Sequence, residues 1–117
     1  MPRSKVNIDV VREMALALPG VEESKIDGAP SLKVRGRLLA CPAIHRSAEP
    51  DTLAVQDDFA ARTELPDAKP EVFYVTDHFL AYPTVLVRLK MIDRRTLRGL
   101  LASSWRFVSS KPKRKPA

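Results

Sequence analysis

The stretch from Thr84 to Val108, TVLVRLKMIDRRTLRGLLASSWRFV, changes its hydrophobic period in the middle, and that change decides the fold class. Up to Lys90, Val85, Val87 and Leu89 alternate with Leu86, Arg88 and Lys90. This is the two-residue repeat of a strand with one apolar face. After Asp93, the residues Leu97, Leu100, Leu101, Ser104, Trp105 and Val108 recur at helical spacing. Asp93 has the right chemistry for an N-cap, so a helix is predicted over about 94–108.

Moving toward the N-terminus, Thr76 to Pro83 reads as a turn or single helical turn with Asp77 as a candidate cap. Glu71 to Val75 and Thr52 to Gln56 read as strands. Between them, Asp57 or Asp58 caps a short helix through about Glu64, and Leu65 to Pro70 is a connector bounded by prolines. His45 to Asp51 is a polar loop. Ser31 to Arg35 and Leu38 to Ile44 form a hairpin around Gly36, with Leu32 and Val34 facing one way and Lys33 and Arg35 the other. Ser24 to Ile26 is a short strand closed by the turn dipeptide Asp27-Gly28, with Pro30 blocking continuation. Glu22-Glu23 leads into it as a solvated pair. At the chain start, Ile8, Val11, Met14, Ala15 and Leu18 mark a helix from Ile8 to Leu18, capped by Asn7 and ended by Pro19-Gly20. The expected architecture is therefore α+β, a two-layer domain in which N- and C-terminal helices pack on an antiparallel sheet. Residues 1–110 form this single domain, and 111–117 form a basic disordered tail.

At 117 residues, with 44% hydrophobic and 29% charged, the chain can bury a core without covalent staples. Cys41 stands alone, which excludes an internal disulfide and a multi-thiolate zinc site. No apolar run is long enough for a membrane span or a signal peptide, so the expectation is a cytoplasmic protein without membrane association, monomeric by default. The net charge of +6 is unevenly placed. Residues 1–93 carry 12 Lys and Arg against 14 Asp and Glu. Residues 94–117 carry eight basic residues and no acid. That asymmetry suits a polyanionic partner; a solvated helix face followed by a frayed tail would produce it too.

Four stretches resemble the MmcQ/YjbR family of small bacterial proteins: ALALPGVEES from Ala15, LKVRGRLLA from Leu32, VFYVTDHFLAYPTVLVRL from Val72 and LLASSWRFV from Leu100. The similarity runs from about Val10 to Ser110. It implies a CyaY-like sandwich and a DNA-binding role through a sheet-based double-wing surface, with no agreed enzymatic activity. The loop His45 to Pro50 resembles a version found in part of that family. Asp27 stands where an aromatic is common before the glycine, so an aromatic stacking contact is not expected there.

Two groups of residues are candidates for a site. The first is basic. Lys33 and Arg35 share a strand face, Arg37 follows the hairpin tip, and Arg88 and Lys90 share a face of another strand. Arg94, Arg95, Arg98 and Arg106 flank the apolar stripe of the last helix, and Lys113, Arg114 and Lys115 (with Lys111) lie in the tail. Same-face strand residues lie about 7 Å apart, a spacing that can follow a phosphate backbone, and arginines suit bidentate phosphate contacts. The competing account is ordinary: a wet sheet face normally carries Lys and Arg, and Arg is a good helix former. Trp105, Phe73, Tyr74 and Phe79 read as core rather than as base-stacking platforms.

The second group is His45, Glu49, Asp77 and His78, which would suit a metal or acid–base work if they converged. Otherwise Asp77 caps a turn and His78 packs over it. No phosphate-binding glycine loop, serine elbow or helical metal-ligand pair is present in the sequence, so no cofactor or metal is expected. The primary expectation is phosphate-directed nucleic-acid binding, DNA rather than RNA, with no base-reading side chains. The alternatives are a protein-interaction or regulatory module and, third, catalysis at the histidine group.

Overall fold

The computed structural model describes residues 6–26, 28–43 and 45–110. Helix α1 (Ile8–Leu16) starts where Asn7 accepts a hydrogen bond from the Val10 amide at 3.0 Å. It buries Val11 and Ala15 and ends before Pro19. Six strands follow: β1 (Val21–Ile26), β2 (Ala29–Val34), β3 (Arg37–Pro42), β4 (Thr52–Gln56), β5 (Phe73–Tyr74) and β6 (Thr84–Arg88). They form one antiparallel sheet in the order β1-β2-β3-β4-β6-β5. Helix α2 (Phe59–Ala68) lies between β4 and β5, a single 3-10 turn (Asp77–Phe79) precedes β6, and α3 (Arg94–Ser110) closes the fold. The α+β expectation, terminal helices on an antiparallel sheet, describes this structure.

The core lies between one face of the sheet and the two terminal helices. The register aligns Val55 with Val85, and Leu53 with Val87 and then Phe73, so these side chains form rows in the core, with α3 over β2, β3 and β4, α1 over β1 and β2, and α2 against β5 and β6. Leu97, Leu100, Leu101 and Val108 of α3 belong to the same core cluster, as do Val11 and Ala15 of α1. A bulge between Leu32 and Lys33 shifts the β2–β3 register, and both Leu39 and Ala40 of β3 are buried there. Trp105 and Met14 pack against this core but remain partly exposed. The Trp105 indole donates to the Pro19 carbonyl at 2.8 Å and ties α3 to the end of α1.

Several boundaries differ from the sequence reading. The first strand begins at Val21 rather than Ser24, and Pro30 lies within β2 instead of blocking it. Pro30 pairs with Lys25 on one side, while the β2–β3 ladder begins only at Leu32, so its missing N–H breaks no bond on the other side. Helix α2 runs through Pro66 to Ala68, with Asp58 as its cap, because the turn continues past the proline with the Lys69 amide on the Leu65 carbonyl. The strand expected over Glu71 to Val75 shrinks to Phe73–Tyr74. Asp77 is the first residue of the 3-10 turn rather than its cap; Thr76 holds the cap position. Asp27, Ile44 and the expected tail 111–117, with Lys111, Lys113, Arg114 and Lys115, lie outside the described residues.

Candidate functional site

The basic residues expected on one sheet face do not share one environment. The face turned away from α1 and α3 carries Ala54 and Leu86, both buried, with Thr52 and Thr84, also buried. The loop after β3 is fastened over this face. The Tyr74 hydroxyl accepts from the Glu49 amide at 2.8 Å and shares a hydrogen bond with the Thr52 hydroxyl at 2.7 Å. Arg88 emerges here already engaged. It makes two hydrogen bonds to the Glu49 carboxylate, at 2.9 and 2.8 Å, and donates to the Pro70 carbonyl at 2.9 Å. Its guanidinium lies 4.3 Å from the Tyr74 ring centre. The hydrogen bonds between the two side chains hold the Glu49 carboxyl below its ordinary pKa and the Arg88 guanidinium above its own. Lys90 lies beyond the end of β6 and meets Asp51 at 3.4 Å.

Of the hairpin residues, Lys33 keeps its strand position opposite Glu22. Arg35 does not extend the strand: with φ of 54° at Arg35 and 78° at Gly36, the two form the tight turn joining Val34 to Arg37. Arg37 opens β3 and lines a shallow cavity of about 250 Å³ with Leu38, Gln56, Phe107 and Val108.

Helix α3 differs from the sheet. Asp93 caps it, accepting from the Thr96 amide at 2.6 Å, and that bond holds the Asp93 carboxyl below its usual range. Arg94, Arg95, Arg98 and Arg106 are all exposed, and among the described residues none forms an ion pair. The helix rises about 18 Å over the twelve steps from Arg94 to Arg106. Arg95 and Arg106 lie on the arc opposite the buried Leu97, Leu101, Ser104 and Val108, while Arg94 and Arg98 flank that stripe. Arg88 does not join these arginines, because α3 packs on the core face while Arg88 leaves from the other, whereas Arg37 borders Phe107 and Val108 of α3.

Toward its C-terminal half, α3 meets a buried carboxylate. Asp57, at the end of β4, is 2% exposed and accepts from the Ser103 hydroxyl at 3.0 Å and from the Asp58 amide at 2.9 Å. Burial raises its pKa, offset in part by these two bonds and by the charge of Arg106.

His45 and His78 are brought face to face, ring centres 3.5 Å apart and planes 8° from parallel, with the Phe79 ring edge-on to both. The Ser47 amide donates to His45 Nδ1 at 3.1 Å, and the Ser47 hydroxyl bridges His45 Nδ1 and the Thr76 hydroxyl, 2.8 Å from each. Desolvation lowers the His45 pKa, helped by His78 and Arg46. Glu49 belongs to Arg88 instead, and Asp77 is exposed. Among the described residues no group of three or more His, Cys, Asp and Glu is placed to hold a metal. Burial raises the Cys41 thiol pKa, which leaves it poorly nucleophilic. Sequence reasoning missed the Asp57–Ser103 contact and the imidazole stack, because each joins residues more than thirty positions apart. No helix of the described residues is long and apolar enough to cross a membrane.

Comparison with known proteins bears on the fold. No family model matches the chain. The uncharacterized proteins Rv2570 of Mycobacterium tuberculosis and Mb2600 of Mycobacterium bovis are each 42% identical over 43 residues, 37% of this chain. The chain spans about a third of the length of these relatives, since the match covers 33% of each. The crystal structure of Deinococcus radiodurans protein DR2400, a DUF419 domain, superposes with a TM-score of 0.73 at 25% identity over 91% of this chain and 80% of that one.

Proposed function

We propose that this chain is a nucleic-acid-binding member of the MmcQ/YjbR-like family, to which DUF419 corresponds, and that it binds phosphates along the exposed face of α3. Family membership is supported by the superposition on the DUF419 domain and by the four sequence stretches quoted above. The binding reading rests on one observation: the α3 arginines are exposed and unpaired, while Arg12, Arg88 and Lys90 are each in an ion pair. Cations held by carboxylates have little to offer a phosphate. Unpaired guanidiniums offer bidentate donors and release condensed counterions from the nucleic acid when they bind. The stripe covers about 18 Å, a length over which duplex DNA presents on the order of ten phosphates.

The test is a salt titration of a fluorescent DNA oligonucleotide by anisotropy. Wild type should lose affinity with salt at a slope of about −0.9 per phosphate neutralised on a duplex. Arg95→Glu with Arg98→Glu should make that slope shallower by about two. Arg88→Gln, which removes a cation already committed to Glu49, should leave it unchanged. A slope insensitive to the α3 pair would refute the assignment.

A further inference from the structure

We infer that the exposed rings between α2 and β6 form a base-stacking platform, and that the nucleic acid bound beside α3 is single-stranded. The inference deepens the α3 reading and rests on it. Phe59, Leu80 and Tyr82 are three of the large apolar side chains left in solvent, at 50, 51 and 53% exposure. They are neighbours, and Arg62 joins them. Its guanidinium sits 4.7 Å from the Phe59 ring centre and donates to the carbonyls of Leu80 and Tyr82. The turn carrying Tyr82 is thereby fixed before any ligand arrives, which lowers the ordering cost of binding. Tyr82 continues into the next rings: its centre is 6.3 Å from His78, which stacks on His45.

The platform adjoins the arginine stripe. The Asp57 amide donates to the Pro83 carbonyl at 2.9 Å, next to Tyr82, while the Asp57 carboxylate holds Ser103 of α3 one turn before Arg106. One strand could thus lay its phosphates on α3 and its bases on the rings. Flat rings beside the guanidinium of Arg62 match unstacked bases carried on a polyanion. In a duplex the same base faces are already occupied.

The probes are fluorescein-labelled dT15 and a 15-base-pair duplex, titrated with the full chain at low salt. Single-strand binding should be the tighter. Tyr82→Ala and Phe59→Ala should each weaken it by about 5- to 100-fold, the size of one base–aromatic stack, with duplex binding unchanged. Tyr82→Phe should restore it and Tyr82→Leu should not, which separates stacking from apolar burial. Both positions are half-exposed, so the variants should keep the wild-type circular dichroism. If the ring variants bind dT15 as wild type does while the α3 charge reversals weaken it, the platform is refuted and the α3 reading stands. If wild type binds neither probe, the α3 reading itself falls.

Discussion

Trp105 links the two terminal helices, and truncating it has a calculable cost. A fully buried tryptophan reduced to alanine costs about 3–5 kcal/mol. Trp105 is only partly buried, so roughly half of that transfer term applies, about 2 kcal/mol. The indole N–H bond to the Pro19 carbonyl adds up to about 1 kcal/mol, kept small because Pro19 is exposed and water can replace the donor. Trp105→Ala should therefore destabilise by about 2–3 kcal/mol, less than a fully buried indole would require. Trp105→Phe keeps most of the ring contact and should lose only about 1 kcal/mol. Because Trp105 is the only tryptophan, both variants must be followed by far-ultraviolet circular dichroism in urea, with the wild type measured the same way. At this chain length the alanine variant should melt on the order of 10 °C lower. Equal losses for Phe and Ala would show that the hydrogen bond dominates, and no loss in either would show that the indole does not pack against the core.

Two further outcomes follow from the loops. His45 has a folded-state pKa below its ordinary value, so its contribution to stability is present above about pH 6.5 and is lost as pH falls below that toward the folded-state value. His45→Asn keeps an acceptor for the Ser47 amide and should flatten the stability profile between pH 7.5 and 5; an unchanged profile would remove His45 as its source. Arg35 occupies a left-handed position that asparagine adopts with less strain, so Arg35→Asn should raise stability by about 0.5–1 kcal/mol in a urea titration, and a loss would mean that the turn geometry is misassigned.

How far the fold was legible depends on whether one local signal decided each element. The strand–Asp93–helix passage at the C-terminus carried its own period change and its own cap, and both appear in the structure. Asn7 and Asp58 did the same for α1 and α2. Signals failed where a tertiary neighbour overrode them. Pro30 is compatible with β2 only because β3 has not yet joined there, and Pro66 is carried by a helix already nucleated at Asp58. The sheet's second face illustrates the limit best. Alternation placed Leu86 and Arg88 on that face correctly, but the sequence contains no sign that the loop after β3 folds over it. Glu49, thirty-nine positions from Arg88, takes the charge that a phosphate would have needed. The α3 arginines were legible as candidates because helical spacing alone sets Arg95 and Arg106 opposite Leu97 and Leu101, with Arg94 and Arg98 at the edges of that stripe.

The order of the strands leaves the sheet with two unequal borders. At one, β5 is two residues long, too short to recruit another strand. At the other, β1 offers six residues whose outer backbone groups no strand of the described chain pairs. What guards that border against self-association is the run Glu22, Glu23 and Lys25. Arg12 of α1 fixes Glu23 at 3.0 Å with only 24% of its side chain exposed, so a charge is held beside the open backbone. The acidic pair that reads in sequence as mere solvated polarity is, at this position, a barrier to edge-to-edge aggregation. Exchanging Glu22 and Lys25 for threonine or valine would leave each fold intact while turning the border into a template for the next molecule.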